Sequence, residues 1–559
     1  MRAIEVGLRE VAQCGVTHAF GIPAGSINAI YDALLDIPEI KSLIVKHEAS
    51  AGYIAAAYSR VTGRPSLAIG SSGPGATNLL TACANAFTEK TPVLFITGAV
   101  PTPILGKGGA QELLATPLFK SITKSSVAVH NPSDVPGALV RAYETAVSGI
   151  PGPVHVELPI NVQMAEINSH PIVKNTSEKI QTQFKLSEVE EITQIIQQSD
   201  QRGAILLGYG AKSAKRLALE LAERLQWMVA TTPRGKGGFP ETHPLSLGVY
   251  GLAGHERAIM YLHSKEWDVL LVIGSSLGES GTCNWDEQLV NEKRLIHIDY
   301  DAKVFGRGFT PYRTITGHIE PILSLLIEKL GARPPLATTF TQEIAAAAEE
   351  MSPSFDEGSQ KSTENSLKTR DIIRRIGECA PEGTKYYVDI GELMTYAIQE
   401  LTMRPGFDFD INIHFGGMGS GITSSIGAKL AEPERPVVCI TGDGCFFMHG
   451  MEILTAKEAK IPLLFIVVNN ARLGMVYHGH MLQYQRCPSE FSQERINLAE
   501  VARSLGIEAH QVSRISDITK EQMLQWTQRG MPVFIEVVVD GNEIPPMGER
   551  VKFLQGATY

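Results

Sequence analysis

Val437-Val438-Cys439-Ile440-Thr441-Gly442-Asp443-Gly444, followed after 24 residues (445–468) by Asn469-Asn470, is the stretch from which the rest of the chain is read. The apolar run Val437–Ile440 reads as a buried strand entering a Gly-Asp-Gly turn. Phe465-Ile466-Val467-Val468 reads as a second strand entering the Asn pair. The spacing between them suits one helix, which makes the unit strand–turn–helix–strand with parallel strands. Two parallel neighbours ending on the same edge bring Asp443 and Asn470 within reach of one ion. A carboxylate oxygen, a carboxamide oxygen, a backbone carbonyl and diphosphate oxygens together suit the hard, octahedral Mg²⁺ ion. Glycines on both sides of the Asp let backbone N–H groups approach phosphate closely.

Working outward, 559 residues are too many for one core and imply three or four domains. An apolar content of 43% and a charged content of 20% are those of an ordinary globular protein. The net charge of −10, with no basic stripe, argues against nucleic acid as a partner. Seven scattered cysteines without a Cys-x-x-Cys pair read as reduced thiols in a cytoplasmic protein. The N-terminus carries a helical pattern (Ala3, Val6, Leu8, Val11) with charges between, which is no signal peptide. No apolar run reaches the length that would span a membrane.

Short apolar runs alternate with helical periodicity in three blocks, at about 1–165, 186–335 and 367–540. The first block has runs at Ala19-Phe20, Leu43–Val45, Leu67–Ile69, Val93–Ile96 and Val154–Val156. The second has Ala204–Leu207, Val229–Thr231, Val269–Ile273 and Leu295–Ile298. The third has Tyr386–Val388, the two runs already quoted and Val533–Val539, after a helix over Thr369–Cys379. Polar stretches at 168–185 and 336–366 read as linkers. The fold class is therefore α/β, with three consecutive doubly wound parallel-sheet domains.

Gly-Asp-Gly alone is an ordinary turn. Here it stands in order with Gly21-Ile22-Pro23-Ala24-Gly25, Lys46-His47-Glu48, Ser72-Gly73-Pro74-Gly75-Ala76-Thr77-Asn78, His243–Gly248, His297-Ile298-Asp299 and Leu473-Gly474-Met475-Val476. That series, over nearly the whole chain, resembles the thiamine-diphosphate enzymes of the acetolactate synthase (acetohydroxyacid synthase) and pyruvate oxidase group. The resemblance implies a pyrimidine-binding first domain, a central nucleotide-domain-like domain and a last domain that binds diphosphate and Mg²⁺. The thiamine cofactor supplies the electron sink, and the protein anchors, bends and activates it.

Residue by residue, the resemblance gives Glu48 the position that hydrogen-bonds the aminopyrimidine ring. Pro23, Ser72, Pro74 and Asn78 line that ring, and Gly25 and Gln111 face the reacting carbon and the pyrimidine. Asp443, the Asn470 side chain and the Arg472 carbonyl match the Mg²⁺ ligands. Met418, within Gly416-Gly417-Met418-Gly419, matches the apolar wedge that enforces the bent cofactor. Gly391, Gly416, Gly442, Gly444, Cys445 and Met475 complete the cofactor-binding set. The family's site forms between the first domain of one subunit and the last of another, which implies a homodimer or homotetramer.

Three departures bear on substrate. Acetolactate synthases carry Phe before the Gln of the first-domain loop, where this chain has Ala110. They carry Trp five residues after the Gly of Leu-Gly-Met-Val, where this chain has Gly479. Losing both rings predicts room for a bulkier substrate. The third departure is Glu392, in Asp389-Ile390-Gly391-Glu392-Leu393-Met394, where the family sets Gln and His against the diphosphate. A carboxylate there is unwelcome beside phosphate unless it contacts something else. Tyr477, His478 and His480 are candidate polar groups of the pocket. The central domain lacks the family's Arg-Phe-Asp-Asp-Arg run and has Ser275–Glu279 instead, so bound FAD is not expected.

These residues imply decarboxylation of a 2-oxo acid and transfer of the acyl carbanion to a second carbonyl compound. The alternatives are a non-oxidative decarboxylase releasing an aldehyde, disfavoured by the lack of a His-His pair, and a non-catalytic regulatory relative. The partners implied are small molecules, a 2-oxo acid and a carbonyl acceptor.

Overall fold

The computed structural model describes residues 1–168, 184–198, 203–331 and 367–547; the two linkers read from sequence lie almost wholly outside them. Three six-stranded sheets, parallel in every pairing, carry helices on their faces. In spatial order the first sheet is Lys41–Ile44, His18–Gly21, Ser66–Gly70, Val93–Ala99, Val154–Pro159, Ser126–Ala128. The third is Asp408–Ile411, Lys385–Val388, Val437–Gly442, Leu464–Asn469, Val533–Val538, Glu508–Val512. Numbered along the chain within each sheet, both orders are 2-1-3-4-6-5, so the shared rhythm of the two blocks is a shared topology.

The central sheet differs. Its spatial order is Arg313–Thr316, Arg294–Asp299, Val269–Ile273, Gly203–Leu207, Met228–Thr231, Ser246–Val249, which is the 3-2-1-4-5-6 order of dinucleotide-binding folds. The central strands of all three sheets are buried along their length, as parallel strands covered on both faces must be.

The central domain has its own apolar core, whereas the first and third share one. Two helices make the shared core, Glu48–Thr62 and Ser420–Ala431. Ala49–Ser59 of the first and Ser420–Lys429 of the second are buried without interruption, so neither helix keeps a polar face. Small residues allow the two backbones to meet: a Cβ added at Gly427 would sit 2.2 Å from the Ile54 carbonyl oxygen. Ile54, Ile422 and Ile426 are fully buried between them, worth on the order of 2 kcal/mol each. Gly427→Val would force the pair apart.

Polar ties cross the same junction. Glu452 is buried and its Oε1 accepts from the Lys46 and His47 N–H groups at 2.9 and 3.0 Å, while Arg60 pairs with Asp410 at 3.2 Å. The junction holds the N-terminus of Glu48–Thr62, and hence Glu48, in a fixed place beside the third domain.

Candidate functional site

The register of the third sheet sets the site. Gly442 lies opposite Val468 on adjacent parallel strands, so Asp443 and Asn470 leave the same sheet edge within one residue of each other. Asp443 is buried, and its two oxygens accept from the Gly444 and Ala471 N–H groups at 2.8 and 2.7 Å. Ala471 takes a left-handed backbone, φ 55°, which folds the 470–472 turn back over the carboxylate. Asn470 Oδ1 accepts from the Arg472 N–H at 2.9 Å. Burial pushes the Asp443 carboxyl up to about 6, against the opposing pull of its two N–H donors.

Around this pair the strand-end turns stand back from one another. Added Cβ atoms at Gly391, Gly416 and Gly442 would meet nothing within 4 Å, so the three glycines border open space. Gly391 and Gly416 also have φ of 118° and 74°, a backbone that favours glycine. Met418 is half-buried, with its methyl 3.4 Å from the Cβ position of Gly444. Its tip therefore reaches the Asp443 turn. Cys445 is buried, its thiol donating to the Ile390 carbonyl at 3.1 Å, a packing role. Met475 packs against the third-domain core.

Sequence reasoning gave no role to Asp389, which organises the Gly-rich segment. Its Oδ1 accepts from the Ile390 and Gly419 N–H groups, and its Oδ2 accepts from the Thr441 hydroxyl at 3.0 Å. One buried carboxylate thus pins the 416–421 segment to the end of the strand that carries Asp443. An aspartate at a strand end, just before a glycine turn, was the only signal available.

Glu392 does contact something else. Its Oε1 accepts from Asn470 Nδ2, and its Oε2 lies 3.6 Å from His478 Nε2; neither Oε2 nor Nε2 has another partner. Burial raises the Glu392 carboxyl to about 8, with the Asn470 amide opposing, and burial lowers His478. Both shifts disfavour the charged forms, which works against an ion pair here. His478 also hydrogen-bonds the Gly541 backbone, and its Nε2 is the ring nitrogen that faces the Glu392 carboxyl. Tyr477 lies under the Arg472 guanidinium at 4.4 Å. His480 turns elsewhere, bonded to the Arg486 carbonyl and flanked by the rings of Tyr484 and Phe491.

The first-domain candidates gather at the edge of their own sheet. Glu48 opens its helix, half-buried, and accepts at Oε2 from Asn78 Nδ2 at 2.9 Å. Ser72 is buried and its hydroxyl donates to the Gln111 carbonyl at 2.7 Å. Gln111 has φ 61°, and a Cβ at Gly73 would fall 2.9 Å from its carbonyl, so only glycine fits opposite this loop. Pro23, Gly25, Pro74, Ala110 and Gln111 are exposed in the single chain.

A cavity of about 1080 Å³ lies where the three domains meet, with Thr88–Lys90 of the first domain in its wall. Tyr209, Arg234 and Asp299 line it from the central domain, and Ile390, Gly416 and Met547 from the third. It opens at the switch point of the central sheet, where such sheets take ligands. Among the described residues no three His, Cys, Asp or Glu side chains are grouped to hold a metal, and no helix is long and apolar enough to cross a membrane.

Residues 1–118 match the N-terminal TPP binding domain of the thiamine pyrophosphate enzymes, 189–326 their central domain and 389–537 their C-terminal TPP binding domain. A probable acetolactate synthase large subunit of Methanocaldococcus jannaschii is 31% identical over 99% of this chain and 95% of its own length. The acetolactate synthase isozyme 1 large subunit of Escherichia coli is 29% identical over 96% and 94%. An acetolactate synthase of Arthrospira platensis is 30% identical over 95% and 92%. Matched in all three domains and along nearly its full length, the chain belongs to the thiamine pyrophosphate enzymes of the acetolactate synthase type.

Proposed function

We propose that this chain decarboxylates a 2-oxo acid and joins the acyl unit to a second carbonyl compound, using thiamine diphosphate and Mg²⁺. The observation that carries the reading is the edge-to-edge placement of Asp443 and Asn470 beside three glycine turns that border open space. The residues fit the group. Asp443 offers carboxylate oxygens, Asn470 an amide oxygen and Arg472 a backbone carbonyl, a mixed oxygen set that suits Mg²⁺ better than a softer ion. Gly391, Gly416 and Gly442 leave room for a diphosphate, and Met418 stands beside it. When bound, the cofactor supplies the electron sink on which loss of CO₂ depends.

The protein's own part is positioning and proton handling. With Glu48 Oε2 engaged by Asn78, Oε1 is the oxygen that would hold a proton for exchange with a bound aminopyrimidine. Asp389 keeps the wedge segment in place. Glu392 is engaged by the Asn470 amide, which ties the carboxyl to the metal-binding turn. Pro23, Gly25, Pro74, Ala110 and Gln111 of the first-domain half are exposed in the single chain, as are Phe447 and Met448 on the Asp443 helix and Met451 just after it. A second copy that covers both would complete the site, and we infer at least a homodimer.

Ala110 and Gly479 favour a donor or acceptor bulkier than pyruvate on one side of the pocket. Carboligation is redox-neutral and asks for no flavin, although the cavity at the central sheet has room for a nucleotide. The seven cysteines form no disulfide among the described residues, and four of them are buried, which accords with a reducing cytoplasm.

The test is incubation with thiamine diphosphate, Mg²⁺ and a panel of 2-oxo acids, with CO₂ and products followed. The reading expects CO₂ release together with 2-hydroxy-2-alkyl-3-oxo acids. Release of free aldehyde alone would make the chain a decarboxylase, and an inert panel would remove the reading altogether.

A further inference from the structure

We infer that Met547, carried by the C-terminal segment, is the side chain that sets substrate size in this site. The inference rests on the carboligase reading above and deepens it. Gly479 leaves a gap on the helix Gly474–Tyr484, one turn beyond the metal-binding loop. The Met547 methyl fills that gap from outside, 3.4 Å from the position a Gly479 Cβ would take, and Met547 is only 5% exposed. Met547 also lines the cavity at the central sheet, to which Ile390, Met394, Phe415 and Gly416 of the third domain contribute as well. Met547 thus stands between the helix face at Gly479 and a cavity that reaches Gly416, one of the glycines bordering the proposed cofactor space.

The segment is fastened in that place. The Tyr396 hydroxyl donates to the Glu543 carbonyl at 3.0 Å, Arg370 pairs with the Glu543 carboxylate at 2.5 Å, and Arg472 Nη1 donates to the Gly541 carbonyl at 2.5 Å. Gly541 passes so close to the metal loop that a Cβ there would lie 2.8 Å from the Asn470 carbonyl. A thioether on three rotatable bonds is an adaptable wall, suited to substrates of more than one length. The room that Gly479 opens on the helix is therefore partly closed from the tail.

The experiment compares wild type, Met547→Ala, Met547→Leu and the swap Met547→Ala/Gly479→Met, each with thiamine diphosphate and Mg²⁺. For 2-oxo acids of increasing chain length, kcat/KM is measured, and calorimetry gives the Kd for thiamine diphosphate. One methylene in an apolar pocket is worth about 10-fold or more in discrimination. Met547→Ala should shift the long-to-short kcat/KM ratio at least about tenfold toward long substrates while the cofactor Kd stays within about twofold. Met547→Leu and the swap should return the ratio toward wild type. A general loss of stability lowers all substrates together and cannot produce this pattern. An active wild type whose ratio is unmoved in Met547→Ala overturns the role of Met547 alone. A fall in cofactor affinity with an unmoved ratio also overturns it, since the residue then acts on the cofactor site. A wild type inert on every 2-oxo acid overturns this inference and the carboligase reading together.

Discussion

Replacing Glu392 by glutamine should make the metal-free, cofactor-free protein more stable, by an amount that grows with pH. Glu392 is 8% exposed and its carboxyl is raised from 4.5 to about 8 by burial. Between those values the folded chain holds a proton that the unfolded chain has released, so stability falls as pH rises. The fall is about 1.4 kcal/mol per pH unit. From pH 4.5 to 7 that is roughly 3 kcal/mol, and the loss levels off above pH 8, once the folded state also ionises. Glutamine keeps an oxygen to accept from Asn470 Nδ2 and binds no proton, so it removes this slope. Urea denaturation in EDTA, following the transition of the third domain at several pH values, reads the difference between variant and wild type. The gap should widen in the variant's favour by roughly 3 kcal/mol between pH 4.5 and 7. Parallel curves would refute the reasoning, because they would mean that Glu392 ionises as freely in the folded chain as in the unfolded one.

Other outcomes follow from the same contacts. Glu48→Gln should bind thiamine diphosphate with unchanged affinity and lose turnover by about 10²-fold or more, checked by calorimetry beside a CO₂ assay. Because the Asp443 carboxyl is raised to about 6, Mg²⁺ must displace a proton from it in acid. Metal-dependent cofactor binding should weaken by up to about tenfold per pH unit below 6 and be flat with respect to Asp443 above 7, read by titration at fixed ionic strength. Arg60→Leu should cost about 3–5 kcal/mol in urea denaturation, since it leaves the buried Asp410 without its partner at the junction of the first and third domains.

Apart from the edge strand Lys41–Ile44, the strands that pattern reading found are the apolar, central ones. The five strands it missed, Ser126–Ala128, Ser246–Val249, Arg313–Thr316, Asp408–Ile411 and Glu508–Val512, are all edge strands. Covered on one side only, or short and mixed in composition, they carry no continuous apolar run; Glu508–Val512 alternates Glu, His and Gln with buried Ala and Val. Asp443 and Asn470 were legible because each follows such a run directly, and parallel strands ending together leave little freedom. Glu392 was legible as an anomaly, but its partner was not, since Asn470 lies 78 residues away in sequence. Met547 gave no sequence signal at all. It reaches Gly479 through a tail whose path is fixed by Gly541, Glu543, Tyr396 and Arg370, contacts that no local pattern encodes.

The anchoring role of Asp443 is tested most directly by calorimetric titration of thiamine diphosphate into wild type and Asp443→Ala, with and without Mg²⁺. Wild type should bind only when Mg²⁺ is present, and Asp443→Ala should bind at least about 10²-fold more weakly under the same conditions, a loss of roughly 3 kcal/mol. Binding that is equally tight in the variant, or that ignores Mg²⁺ in wild type, would contradict a diphosphate held by a metal at the edge of the third sheet.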